Sequence, residues 1–210
     1  MKLSLLIATA VLFAGYASYA SNLLFDPGFE SGSFLPNNSG LGGWSQGASA
    51  VISQDYAHGG SWSLKLAYDG STFVIPALQF APVSPQASYT VSGWGFTPSP
   101  STFTGIGAGY LMVVFFDANF GQIQTQNTYD PMGIINGSTS ARTWTFLSGS
   151  VTAPPSAAYL EVLPELFSGS AGNAVYFDDI SVTPVPEPAE LVLFLGLGFG
   201  LRLLKFTARP

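Results

Sequence analysis

A chain of 210 residues that is 47% hydrophobic but only 9% charged, with 24 Gly, 15 Pro and no Cys, has room for one turn-rich domain plus attachments. Between Ser21 and Val185 the cations are Lys65 and Arg142 against ten acids, a net charge of 2 − 10 = −8. That balance speaks against nucleic acid and anionic lipid as partners, since both need clustered Lys and Arg, and the lack of Cys leaves stability to the core or to a bound metal.

At the start of the chain, Met1-Lys2 precede the apolar run Leu3 to Gly15, and Ser18-Tyr19-Ala20 puts small residues at the cleavage positions. This pattern predicts a secretory signal peptide over residues 1–20. The run is too short to span a bilayer as an anchor.

The middle of the chain reads as strands and turns. Trp62, Leu64, Leu66 and Tyr68 alternate with Ser61, Ser63, Lys65 and Ala67, the pattern of a half-buried strand. In "SYTVSGWGF", Tyr89 and Val91 share one parity while Trp94 and Phe96 share the other, which predicts a β-bulge at Gly93. "GYLMVVFFDANFGQ" is a continuous apolar run, expected of a strand covered on both faces and ending in a hairpin turn. Trp144 and Phe146 alternate with Thr145 and Leu147, Leu160 and Val162 flank Glu161, and "AVYFDDISV" is the last strand. Short strands separated by Gly, Pro, Asn and Ser clusters predict an all-β fold, an antiparallel β-sandwich or jelly roll.

Few residues offer chemistry. Asp178 shares a strand parity with Ile180 and Val182 and is expected to face the core, where a carboxylate needs a positive or hydrogen-bonding partner. With two cations in the domain, a metal ion is a candidate partner. "DANFGQ" lacks the later ligands of a calcium loop and reads as a hairpin turn. His58 is the only histidine and no G-x-S-x-G elbow accompanies it, so it is expected to pack or hydrogen-bond its turn. Catalysis on a glycosidic bond needs two paired carboxylates; nothing in the sequence pairs any, and no enzymatic activity is expected. Trp62, Trp94 and Trp144 share parities with Leu or Phe and read as core. Trp44, in the Gly-rich "GLGGWSQG", and Tyr129, in "QTQNTYDP", are the candidate ligand-binding aromatics, because an exposed ring covers the C–H face of a sugar.

"NLLFDPGFESG" at 22–32, "DYAHGGSWSLKL" at 55–66, "YTVSGW" at 89–94 and "VYFDDISV" at 175–182 occur in that order. With Asp117, Gly121 and Trp144 they resemble the carbohydrate-binding-module type of galactose-binding-like jelly roll. The resemblance implies a β-sandwich over residues 21–183 that associates with polysaccharide without catalysis. It also implies a structural Ca2+ held by Glu30 and Asp178, with Asp55 and backbone carbonyls of the 55–61 turn completing an oxygen shell. Such folds carry many functions, so a purely structural or adhesive matrix protein and a polysaccharide-active enzyme stand as alternatives.

After Val182 the composition changes. "TPVPEP" reads as an extended linker, and residues 189–204 would make a helix of about 24 Å at 1.5 Å per residue, short of a bilayer core of about 30 Å. Arg202, Lys205 and Arg209 follow. A Pro-Glu-Pro motif (Pro186, Glu187, Pro188), a short Gly- and Leu-rich transmembrane segment and a basic end resemble the PEP-CTERM sorting signal, here residues 184–210. The resemblance implies processing by exosortase, a membrane-embedded protease, and delivery to the cell surface or extracellular matrix of a Gram-negative bacterium after transient anchoring in the inner membrane. Glu190 and the spread cations depart from the usual pattern.

Overall fold

The computed structural model describes residues 21–36, 39–47, 49–68, 77–99, 103–123, 130–169 and 174–186. Nine strands run in chain order: β1 Ala50–Ser53, β2 Ser63–Ala67, β3 Gln79–Pro82, β4 Ser88–Phe96, β5 Phe103–Phe116, β6 Asp130–Asn136, β7 Thr145–Thr152, β8 Tyr159–Gly169 and β9 Ala174–Pro184. They form two antiparallel sheets, β1-β2-β9-β4-β7 and β3-β8-β5-β6. The chain is therefore the expected all-β sandwich, and no helix occurs among the described residues. The signal peptide and the C-terminal transmembrane segment, with Glu187 and Pro188 of the sorting motif, lie outside the described residues; Pro186 is the last one inside them.

Alternation builds the core. On β8, Leu160, Val162 and Leu166 are fully buried, and on β2 Leu64 and Leu66 are too. They meet Val91 of β4, Leu111 and Val113 of β5, Ile135 of β6 and Val175, Phe177, Ile180 and Val182 of β9 in one hydrophobic cluster between the sheets. Burying such side chains stabilises by about 1.5–3 kcal/mol each against exposure, which is how a disulfide-free sandwich holds together. Every buried side-chain polar atom among the described residues has a hydrogen-bond partner.

The expected bulge is present, with the extra residue on the other strand. Ser92 opposes Ser181 and Trp94 opposes Asp178, so two steps along β4 match three along β9. Asp179 takes up the difference in the left-handed region at φ 47°. This changes the face of everything before it: Ile180 and Val182 point into the core, whereas Asp178 pairs with outward-facing Trp94. The expectation that Asp178 shares the side of Ile180 fails, because strict alternation holds only where no residue is inserted. Trp94, Phe96 and Tyr176 accordingly lie on the outer face of the five-stranded sheet, and Phe96 and Tyr176 form a small second cluster with Trp144 packed on it. Of Trp62, Trp94 and Trp144, which alternation reads as core, only Trp62 packs against the main core. On β7 the inward residues are Leu147 and Val151, while Phe146 is 55% exposed.

Candidate functional site

Two regions of the sandwich gather polar and aromatic side chains. The first is the turn over residues 56–62, folded across the outer face of the five-stranded sheet. Asp178, wholly buried, accepts hydrogen bonds from the backbone N–H groups of His58 and Gly59 at 2.7 and 3.2 Å and from Asp179 N–H at 2.8 Å. Burial pushes its carboxyl up to about 6, opposed by those three N–H bonds. Glu30 accepts from Ser61 and Trp62 N–H at 3.0 Å. The turn fits because Gly60 is left-handed, at φ 59°, and a Cβ there would stand 2.3 Å from Glu30 Cδ. His58 completes the cover as expected of a turn residue: its ring stacks on Trp94 at 4.0 Å and its Nδ1 lies 2.7 Å from Asp179 Oδ2.

Glu30 and Asp178 thus converge on one turn, but Asp55 does not join them. Its carboxylate is 2.7 Å from Lys65 Nζ and accepts from the Tyr176 hydroxyl at 3.2 Å, and Lys65 holds it below the usual carboxylate range. Asp55 is thus paired with a cation on the neighbouring strand. Among the described residues no three His, Cys, Asp or Glu side chains stand together as a metal cluster. A calcium shell here would need Glu30 and Asp178 with backbone carbonyls, and both carboxylates already accept backbone N–H bonds.

The second region is the outer face of the four-stranded sheet. Register sets Phe80, Glu161 and Val114 in one row, Pro82, Tyr159 and Phe116 in the next, and Glu165, Tyr110 and Ile134 in a third. At one end the rings form a group: Phe120 stacks on Tyr159 at 4.6 Å and 12°, and Phe80 meets Phe116, Phe120 and Tyr159 edge-on. The 117–121 turn that presents Phe120 is a hairpin turn, as read, with Asp117 accepting from Asn119 and Gly121 N–H at 2.8 Å each. Glu161 sits beside these rings only 7% exposed, and burial pushes its carboxyl up to about 7; burial raises Glu165 as well. The face therefore carries a group of rings at one end with Glu161 beside it, then the apolar Leu163 and Met112 row, then Glu165 paired with Tyr110; burial makes both carboxyl groups hold their protons unusually well.

The aromatics singled out from sequence fall elsewhere. Trp44 is 2% exposed, donates from its indole N–H to the Asp26 carbonyl at 2.9 Å and packs on Phe29 at 4.9 Å. It is a core residue, because the Gly-rich loop around it folds inward. Tyr129 lies outside the described residues. Phe80, Phe120, Tyr159, Glu161 and Glu165 were missed. The signal was in "YLEVLPELF", where one parity is apolar and the other carries Tyr and Glu.

No protein-family model and no curated protein matches the chain. Solved structures do match. The xylan-binding domain of Paenibacillus barcinonensis Xyn10C, a family 22 carbohydrate-binding module, superposes with a TM-score of 0.52 at 17% identity, covering 80% of this chain and 97% of that one. A family 16 carbohydrate-binding module gives 0.53 at 19% identity, covering 77% and 99%. The enzymatically active domain of the bacteriophage CBA120 tailspike protein 4 gives 0.54 at 13% identity, with 78% of this chain matching 21% of that one. The fold is the jelly-roll β-sandwich of carbohydrate-binding modules.

Proposed function

We propose that this protein is a non-catalytic polysaccharide-binding module whose ligand lies along the outer face of the β3-β8-β5-β6 sheet. The observation that carries this reading is the gathering on that one face of Phe120, Tyr159 and Tyr110 with Glu161 and Glu165. Aromatic rings cover the C–H faces of successive sugar units, and carboxyl groups bond their hydroxyls. Below about pH 7 Glu161 keeps its proton and both donates and accepts. The matches to carbohydrate-binding modules support the reading at the level of the fold.

A glycan array followed by titration of the best polysaccharide tests it. Tyr159→Ala and Phe120→Ala are each expected to weaken binding about tenfold, a loss of about 1.4 kcal/mol. Absence of binding to every glycan, with and without calcium, would leave the structural or adhesive reading instead.

Two further features of the sequence belong to this proposal. Export by residues 1–20 and exosortase sorting through Pro186, Glu187 and Pro188 would place the module at the cell surface or in the extracellular matrix. Mass spectrometry of exported protein is expected to find an N-terminus at Ser21 and a C-terminus near the Pro-Glu-Pro motif; an intact chain through Pro210 rejects the sorting. A structural calcium ion held by Glu30, Asp178 and backbone carbonyls would tie the first loop to the last strand.

A further inference from the structure

Beyond the β3 edge of the four-stranded sheet the loop before β1 encloses an open hollow of about 140 Å³, lined among others by Phe25, Asp26, Ser31, Ser33, Phe34 and Trp44. Its rim carries the most exposed large apolar side chain among the described residues, Phe25 at 60%. The backbone that carries that ring is held on both of its polar atoms. Phe25 N–H donates to Gln79 Oε1 at 2.7 Å, Gln79 Nε2 donates back to the Phe25 carbonyl at 2.9 Å, and Gln79 is itself 1% exposed on the core side of β3. A buried amide is thus committed to fixing the backbone of a residue whose ring faces water. The next residue, Asp26, uses its carbonyl to hold the Trp44 indole, while its carboxylate takes the Ser31 N–H and hydroxyl.

Size and lining together define the occupant. A cavity of about 150 Å³ holds a benzene molecule, so an open hollow of about 140 Å³ seats the ring of one sugar unit with its outer substituents in solvent, and it is too small for the drug-sized ligands of ordinary pockets. The lining is mixed: Phe25, Phe34 and Trp44 bring rings and Leu35 and Pro36 further apolar surface, whereas Asp26, Ser31 and Ser33 carry oxygens. A ring with an apolar face and a hydroxyl-bearing edge matches both, and a plain aromatic ring would leave the oxygens facing carbon. We propose that this hollow is a second, independent sugar site that takes a single pyranose unit, a chain end or a free monosaccharide.

The site stands apart from the sheet face, and its test separates the two. The full chain is titrated with methyl glycosides of an aldopentose and two aldohexoses, followed by saturation-transfer NMR and by Trp fluorescence. Saturable millimolar binding of at least one glycoside is expected. Phe25→Ala should weaken it about tenfold, while Phe25→Trp restores it and Tyr159→Ala leaves it unchanged. Asp26→Asn tolerates the left-handed backbone at φ 47° and should weaken binding several-fold by removing the charge on the acceptor. Unaltered melting temperatures for the Phe25 variants exclude a folding defect, since that ring lies at the surface. No glycoside binding by a chain that still binds polysaccharide overturns the second site, as does binding lost with Tyr159→Ala but not with Phe25→Ala. Tighter binding of phenol than of any glycoside also overturns it, because the hollow would then be an aromatic-side-chain pocket.

Discussion

Glu161 shows how one residue on an outward face can still behave as a buried group. Phe80 and Val114 flank it within its row, so its carboxylate loses water without gaining a cation, and its pKa rises to about 7. In the unfolded chain it titrates near 4.3. Between about pH 4.5 and 7 the folded protein therefore keeps a proton that the unfolded chain has released. Stability should fall as pH rises through that window and level off above it. Glu161→Gln removes the loss, with a gain on the order of 3 kcal/mol at most at pH 8 and little change at pH 4. Melting curves at both pH values check this; equal shifts at the two would refute the burial argument. Residue identity was legible in the sequence here, but the desolvation was not, because it comes from strands about 80 and 47 positions away.

The strands themselves were read largely from alternation, and their exceptions came from insertions and small residues. "SLKLA", "SYTVSGWGF" and "AVYFDDISV" all became strands where expected. The parity change in β4 predicts a bulge at Gly93, whereas the inserted residue belongs to β9 at Asp179, a matter of pairing that one strand cannot display. Short β1 and β3 left too few residues for a period to show. Glycine placement within β4 is likewise a tertiary fact. A Cβ on Gly95 would stand 2.6 Å from Ile135 Cγ1 and 3.2 Å from Leu147 Cδ1, so the absent side chain is what lets β4 and β6 approach. Gly95→Ala should cost about 1–3 kcal/mol by overpacking. Adding Ile135→Val should recover part of that loss, a coupling readable in denaturant melts; strict additivity would show that the contact does not matter.

At the scale of the molecule, the two ends of the sandwich chain are tied through one turn. Leu23 N–H donates to Val182, Ile180 N–H to Pro27, and the 56–62 turn is held by Glu30 from one side and Asp178 from the other. An ion bound there would cross-link residues about 150 apart, and anything that binds only the folded state stabilises it. If calcium is held, excess chelator lowers the melting temperature by several degrees. Asp178→Ala and the milder Glu30→Gln should both blunt that response. Melting curves superposable with and without chelator would show that the backbone N–H bonds to these carboxylates suffice.

The sequence by itself determined the class of the protein: strand periodicity and turn chemistry predict an all-β sandwich, and the shortage of cations excludes nucleic acid as a partner. It also held the matching order of motifs, which the jelly-roll superpositions bear out at the level of the fold. Tertiary structure alone decided where the aromatics went. Trp44 turned inward, while Phe120, Tyr159 and Glu161 came together on one face from separate strands and a turn. Local pattern reports which side of a strand a residue occupies. Which side becomes core, and which carboxylate loses its water, depends on the partner strand that long-range pairing supplies.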